Sequence, residues 1–184
     1  MTVFATVGYP GSGKGEVATV AHEVGVPVVR MGDTIRRECR RRCLPVTEDT
    51  LGYIASSLRE REGIDAIARR SFPLIEATHQ GYESVLIDGI RGHAELAYFR
   101  EQFTDRLSVI AIEAPFDLRL ARVRERNRDP TANARTDLEA RDERERGYGM
   151  DEAIANADHT IENTSTLSAF HDDIRSILEA DIVA

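Results

Sequence analysis

Residues 8–15 read GYPGSGKG, and their spacing suits the binding of phosphate. Glycines at 8, 11, 13 and 15 let the backbone wrap closely, so that successive N–H groups converge on one anion. Lys14 adds a compact ammonium, which in such a loop reaches the β- and γ-phosphates and stabilises charge during transfer. Gly8, Tyr9, Pro10, Gly11, Ser12, Gly13, Lys14 and Gly15 are therefore the candidate ATP-binding residues, and Lys14 is also a candidate catalytic residue. Lys14 is the single lysine among 24 basic residues, the other 23 being arginine. A chain that otherwise avoids lysine has kept one here, which supports a specific role for it. The residue after Lys14 is Gly15, which has no hydroxyl to offer Mg²⁺. Glu16 follows; it either approaches a metal or favours the first turn of a helix, and the second reading is preferred.

Other residues could serve the same chemistry. Asp88 closes the run VLID, and an acid at a strand end beside a phosphate loop can order Mg²⁺ through water. Met31–Arg36 reads MGDTIR, in which Asp33 suits the N-cap of a helix. Arg119, Arg122, Arg124, Arg126, Arg128 and Arg135 crowd one polar stretch, and Arg141, Arg144 and Arg146 follow it. Such a cluster suits a transferring phosphoryl group, whose charge spreads over three oxygens and from which water must be kept away. Arg122 and Arg126, four apart on one helical face, lead this set as catalytic candidates, with Arg128 next. For any single arginine, pairing with a neighbouring acid on a solvated helix is the competing reading. The basic run Arg36–Arg42 lacks interleaved aromatics and reads as a solvated helix face, with Arg36 and Arg40 turned toward a ligand. Cys39 and Cys43, four apart on that helix, read as reduced, non-catalytic thiols, since no histidine stands at ligand spacing.

The elements that must position these residues alternate between strand and helix. Thr2–Val7, Val26–Val29, Ser84–Ile87, Leu107–Ile112 and His159–Ile161 are the strand candidates. Helical spacing of apolar residues recurs at Val17, Val20, Ala21 and Val24, and at Leu51, Ile54, Ala55 and Leu58. It recurs again at Ile64, Ile67, Ala68 and Ile75, where Pro73 predicts a kink or restart. Leu96, Phe99 and Phe103 mark a further helix, as do Leu118 and Ala121 after Pro115, and Met150, Ile154 and Ala157. Leu167, Phe170, Ile174, Ile177 and Leu178 mark the last. Residues 127–147 read as a loop or lid with some helix. This alternation predicts βαβ units and a mostly parallel sheet, with ligands beyond the carboxyl ends of the strands.

Several segments together resemble a known family. GxPGxGKG resembles the loop of adenylate kinase and its nucleoside monophosphate kinase relatives, which also carry glycine after the lysine. MGDTIR resembles their TGDxxR stretch, although Met31 replaces the usual hydroxyl residue. Asp88-Gly89-Ile90-Arg91 resembles their DGFPR, one residue shorter. Ala157–Asn163, ADHTIEN, resembles the AD-x-x-I-x-N strand that closes many small P-loop kinases, including dephospho-CoA kinase. In order and extent the segments most resemble an archaeal group of nucleotide-kinase-like P-loop proteins. The resemblance implies a three-layer α/β/α P-loop fold with a sheet of about five strands in the order 2-3-1-4-5. It also implies a helical acceptor-binding insert over about 33–80 and a lid over about 127–147, within a single domain over 1–184. Asp33, Arg36 and Arg91 become acceptor-binding candidates, Asp88 a Mg²⁺ ligand through water, and ATP and Mg²⁺ the expected cofactors.

Composition excludes several classes. The 184 residues are 41% hydrophobic and 30% charged, enough for a substantial core without disulfides. A net charge of -8 and a pI near 5.2 argue against a nucleic-acid coat protein. No apolar stretch is long enough to span a bilayer, and the N-terminus lacks a signal-peptide pattern, so a cytoplasmic protein is expected. The expected activity is transfer of the γ-phosphoryl group of ATP to a small nucleotide acceptor, a nucleoside monophosphate first. A dephospho-CoA-kinase-like activity is one alternative. A regulatory ATPase acting with a protein or RNA partner is another. The acceptor's identity, the choice of ATP over GTP and the oligomeric state stay open.

Overall fold

Five parallel strands form one sheet in the computed structural model, which describes residues 2–126 and 133–183, with side chains over 2–125 and 133–180. In chain order they are β1 (Thr2–Val7), β2 (Val28–Arg30), β3 (Ser84–Asp88), β4 (Leu107–Glu113) and β5 (His159–Glu162). Across the sheet they run β2-β3-β1-β4-β5, the expected order. Val3 lies in register with Val85 on one side and Leu107 on the other, so β1 is central.

Side chains alternate across a strand, so an unbroken apolar run feeds two cores at once. Val3, Ala5, Val7, Val85, Ile87, Val109 and Ala111 point to one face. Phe4, Leu86, Ile110 and Ile112 point to the other. The second face is covered by α1 (Lys14–Glu23) and α9 (Leu167–Val183), through Val17, Ala21, Phe170, Ile174 and Leu178. The first carries α2 (Met31–Arg41), α3 (Glu48–Glu62), α4 (Ala66–His79), α5 (His93–Phe103) and α8 (Met150–Ala155). Leu120, Ala134 and Leu138 make a small third cluster between α6 (Phe116–Arg126) and α7 (Ala134–Gly147).

Two local expectations, at Asp33 and Cys43, are corrected, and two others are narrowed. Pro73 does not restart a helix, since α4 runs through it; the buried Ala66, Ile67, Ala68 and Ile75 hold its face to the core. Asp33 is not an N-cap. β2 passes into α2 without a loop, Arg30 takes the cap position, and Met31 starts the helix with its side chain buried. Cys43 is not on the helix of Cys39. α2 ends at Arg41, and Cys43 adopts a left-handed backbone with φ 56. The polar stretch after Asn133 is regular helix, because α7 has Leu138, Asp142 and Glu145 to bury against the body of the protein.

Candidate active site

The carboxyl ends of β1, β2 and β3 bring the phosphate loop, α2 and Asp88 to one end of the sheet. The loop's shape explains its glycines. Gly8 has φ 142 and Gly13 has φ 118. A Cβ on Gly8 would lie 2.3 Å from the Ile112 carbonyl oxygen, and one on Gly13 2.3 Å from Asn163 Nδ2. Positive φ and close approach both demand glycine there. Two side chains brace the loop from below. Asn163 Nδ2 donates to the Ser12 carbonyl at 2.8 Å. Arg122 Nη1 donates to the same carbonyl at 3.2 Å, while Nη2 reaches Asn163 O and Oδ1 at 2.9 and 3.0 Å.

Arg119 is the third brace. Buried, it forms a bidentate pair with Asp142 at 2.9 and 2.7 Å, and Nη1 also donates to the Pro10 carbonyl at 3.0 Å. The phosphate loop is thus keyed to α7. Tyr9 adds a second link, its hydroxyl donating to Asp151 at the start of α8. Burial and that carboxylate push the Tyr9 phenol up to about 12, so it stays a donor at neutral pH.

Lys14 curls over the loop. Its Nζ donates to the Gly8 carbonyl and, at 3.0 Å, to the Tyr9 carbonyl. Burial pulls the ammonium down to about 8, against the opposing pull of Glu145 and Asp88. The carboxylate of Asp88 stands 3.9 Å from Arg30 Nε. Burial raises its pKa, while Lys14, Arg30 and Arg91 act to lower it.

Beside this centre lies a cleft of about 580 Å³, walled by α2, α3 and α7. Five arginines line it: Arg36, Arg59, Arg91, Arg141 and Arg144. Three already have acidic partners. Arg36 pairs with Asp33 at 2.8 Å, on the exposed first turn of α2. Arg59 pairs with the buried Glu95 at 2.9 Å and lies 4.7 Å over the Tyr148 ring. Arg91 pairs with Glu145, and its backbone N–H donates to Glu95 at 2.8 Å. Glu95 therefore sets the position of both Arg59 and Arg91. Arg141 and Arg144 make no ion pair among the described residues.

The structure brings together most of the predicted residues. Lys14 and Asp88 lie within electrostatic reach of each other at the loop, and Arg36 and Arg91 line the cleft beside them. Arg122 lies under the loop, held by Ser12 and Asn163, away from that cleft. The side chain of Arg126, and the whole of Arg128, lie outside the described residues. Arg40 is exposed and does not line the cleft. Glu16 turns to His171 Nε2 at 3.0 Å. It borders a second hollow, of about 450 Å³, with Gly13, Arg122 and Asn163. Among the described residues no three acids, histidines or cysteines gather as a protein-built metal site would require. Asp88 is a residue that could hold Mg²⁺, an ion that commonly takes one or two carboxylates and completes its shell with water and substrate phosphates.

Sequence reasoning missed Arg59, Glu95, Asp142 and Glu145. Glu95 and Glu145 look like ordinary helix-surface acids, and only their burial distinguishes them.

Comparison with known proteins places the chain in a family and its fold among known structures. The AAA domain family profile matches residues 7–139. A UPF0200 protein of Halobacterium salinarum is 49% identical over 181 residues, spanning 98% of this chain and 94% of that protein. The chain belongs to the UPF0200 family. This UPF0200 chain also shares its fold with solved kinases. Dephospho-CoA kinase from Campylobacter jejuni superposes with TM-score 0.63 at 15% identity, over 96% of this chain and 95% of that one. Shikimate kinase from Acinetobacter baumannii does so with TM-score 0.55 at 22% identity, over 98% and 92%. At such identities the likeness is one of fold, and the fold is that of P-loop kinases. No helix among the described residues is long and apolar enough to cross a membrane.

Proposed function

We propose that this UPF0200 protein is an ATP- and Mg²⁺-dependent phosphotransferase acting on a small nucleotide acceptor, with nucleoside monophosphates the first to test. The observation that carries the reading is the junction of Lys14, Asp88 and an arginine-lined cleft at one end of the sheet. The loop Gly8–Gly15 wraps the donor phosphates with backbone N–H groups. Lys14 leaves its own loop carbonyls and meets the β- and γ-phosphates. Asp88 would hold Mg²⁺ through water, and the bound ion would offset phosphate charge. Arg36, Arg91 and Asp33 orient the acceptor, with Arg59 added to them. Arg122 braces the Ser12 carbonyl and so shapes the loop from beneath. Arg126 and Arg128 remain the candidates for covering the transferred group. In such a reaction the protein contributes mainly position and charge.

The test is ADP release from MgATP with AMP, CMP, UMP, GMP, their deoxy forms and dephospho-CoA, beside the Lys14→Met variant. Strong stimulation by one acceptor, abolished in a folded Lys14→Met protein, is the expected outcome. Near-normal turnover in that variant would sink the mechanism. Slow turnover indifferent to every acceptor would favour a regulatory ATPase instead.

A further inference from the structure

Glu145 has no place in the reading so far. It lies on α7, lines the cleft, and its side chain is 5% exposed. One carboxylate oxygen, Oε1, takes Arg91. The other, Oε2, is buried and has no hydrogen-bond partner. After burial, Glu145 is the strongest influence on Lys14, ahead of Arg91 and Asp88. An acid with an unsatisfied oxygen therefore pairs with Arg91 and lies within electrostatic reach of Lys14. Burying a carboxylate oxygen without a donor is costly, and a donor arriving with the ligand would relieve that cost.

The position also bears on the acceptor's reacting group. A phosphate docked on Arg91 would lie against the Glu145 carboxylate and be repelled by it. A hydroxyl would not be. It would supply the missing donor to Oε2 and would need a base when it attacks, whereas a phosphate oxygen is already anionic. Arg141 and Arg144 line the same cleft, one turn apart on α7, and can take an anionic group elsewhere on the acceptor. Of the other acids near the loop, Asp33 is exposed and paired with Arg36, and Asp88 faces Arg30.

We propose that Glu145 is the proton acceptor for a hydroxyl, so that this enzyme phosphorylates an alcohol on its anionic substrate rather than the substrate's phosphate. In that step the hydroxyl oxygen bonds to the γ-phosphorus. The bond from that phosphorus to the β,γ-bridging oxygen breaks, and its electron pair leaves with ADP. The hydroxyl proton passes to Glu145 Oε2.

The inference rests on the phosphotransferase reading, and one experiment separates the two. A nucleoside monophosphate carries both kinds of acceptor atom. Transfer to its phosphate yields a diphosphate, and transfer to its ribose yields a second phosphomonoester. Phosphorus NMR of the product formed by the wild-type enzyme from the acceptor panel tells them apart without any variant. A new phosphomonoester is expected, together with a fall of about 10²–10⁴-fold in kcat for Glu145→Gln at unchanged KM for ATP. A diphosphate product, or full kcat in Glu145→Gln, overturns the inference and leaves the phosphotransferase standing. ATP turnover with no phosphorylated acceptor overturns both.

Discussion

In the proposed reaction Lys14 acts as a cation, yet burial holds its pKa down to about 8. Without nucleotide the protein therefore loses that charge as pH rises through this value. With ATP bound, phosphate oxygens favour the charged form and raise the pKa again. The two kinetic constants should separate accordingly. In a pH series, kcat/KM for ATP is expected to fall on the alkaline side with an apparent pKa near 8. The kcat value should hold to higher pH. A kcat/KM that stays flat through that range would show that the lysine is better solvated in solution than its burial suggests.

Between elements, the connection that matters most is the pair Arg119–Asp142, which joins α6 to α7 and reaches the Pro10 carbonyl. Both partners are buried, so removing one strands a charge in the interior. Asp142→Ala should cost about 3–5 kcal/mol, measured by urea unfolding. Replacing both together, Arg119→Met with Asp142→Leu, should recover most of that loss, because apolar side chains can fill such a site without any desolvated charge. Asp142 stands one turn before Glu145 on α7, so the single variant should also lose turnover. If Asp142→Ala unfolds like the wild type, α7 is held by its apolar contacts alone.

At the scale of the whole molecule, every proposed ligand contact stems from one sheet and the helices packed on it. Ligand binding should therefore stabilise the entire fold by mass action. ATP with Mg²⁺ at one hundred times its Kd should add about 2.7 kcal/mol. In a chain of 184 residues that corresponds to a rise in Tm of roughly 5–10 °C. Differential scanning calorimetry would measure it, with Lys14→Met as the comparison in which most of the rise disappears. An equal rise in that variant would mean that nucleotide is held without the lysine.

Much of this architecture is local in origin and was legible before folding. Strand and helix patterns repeat over a few residues, and GYPGSGKG is contiguous, so β1, α1 and the loop between them follow from neighbours in the chain. The exceptions have tertiary causes. Met31 is pulled into the core and starts α2 two residues before Asp33, and a buried face carries α4 through Pro73. The residues of the proposed site are a different matter. Arg59 meets Glu95 from 36 residues away, Arg91 meets Glu145 from 54, and Asn163 meets Ser12 from 151. The chain holds 23 arginines of identical chemistry, and nothing in their order says which will be neutralised. Composition and spacing determined a P-loop fold with one lysine at its centre. Only packing decided which carboxylates are buried, and it therefore decided that the arginine-lined cleft carries a buried carboxylate, Glu145, paired with Arg91.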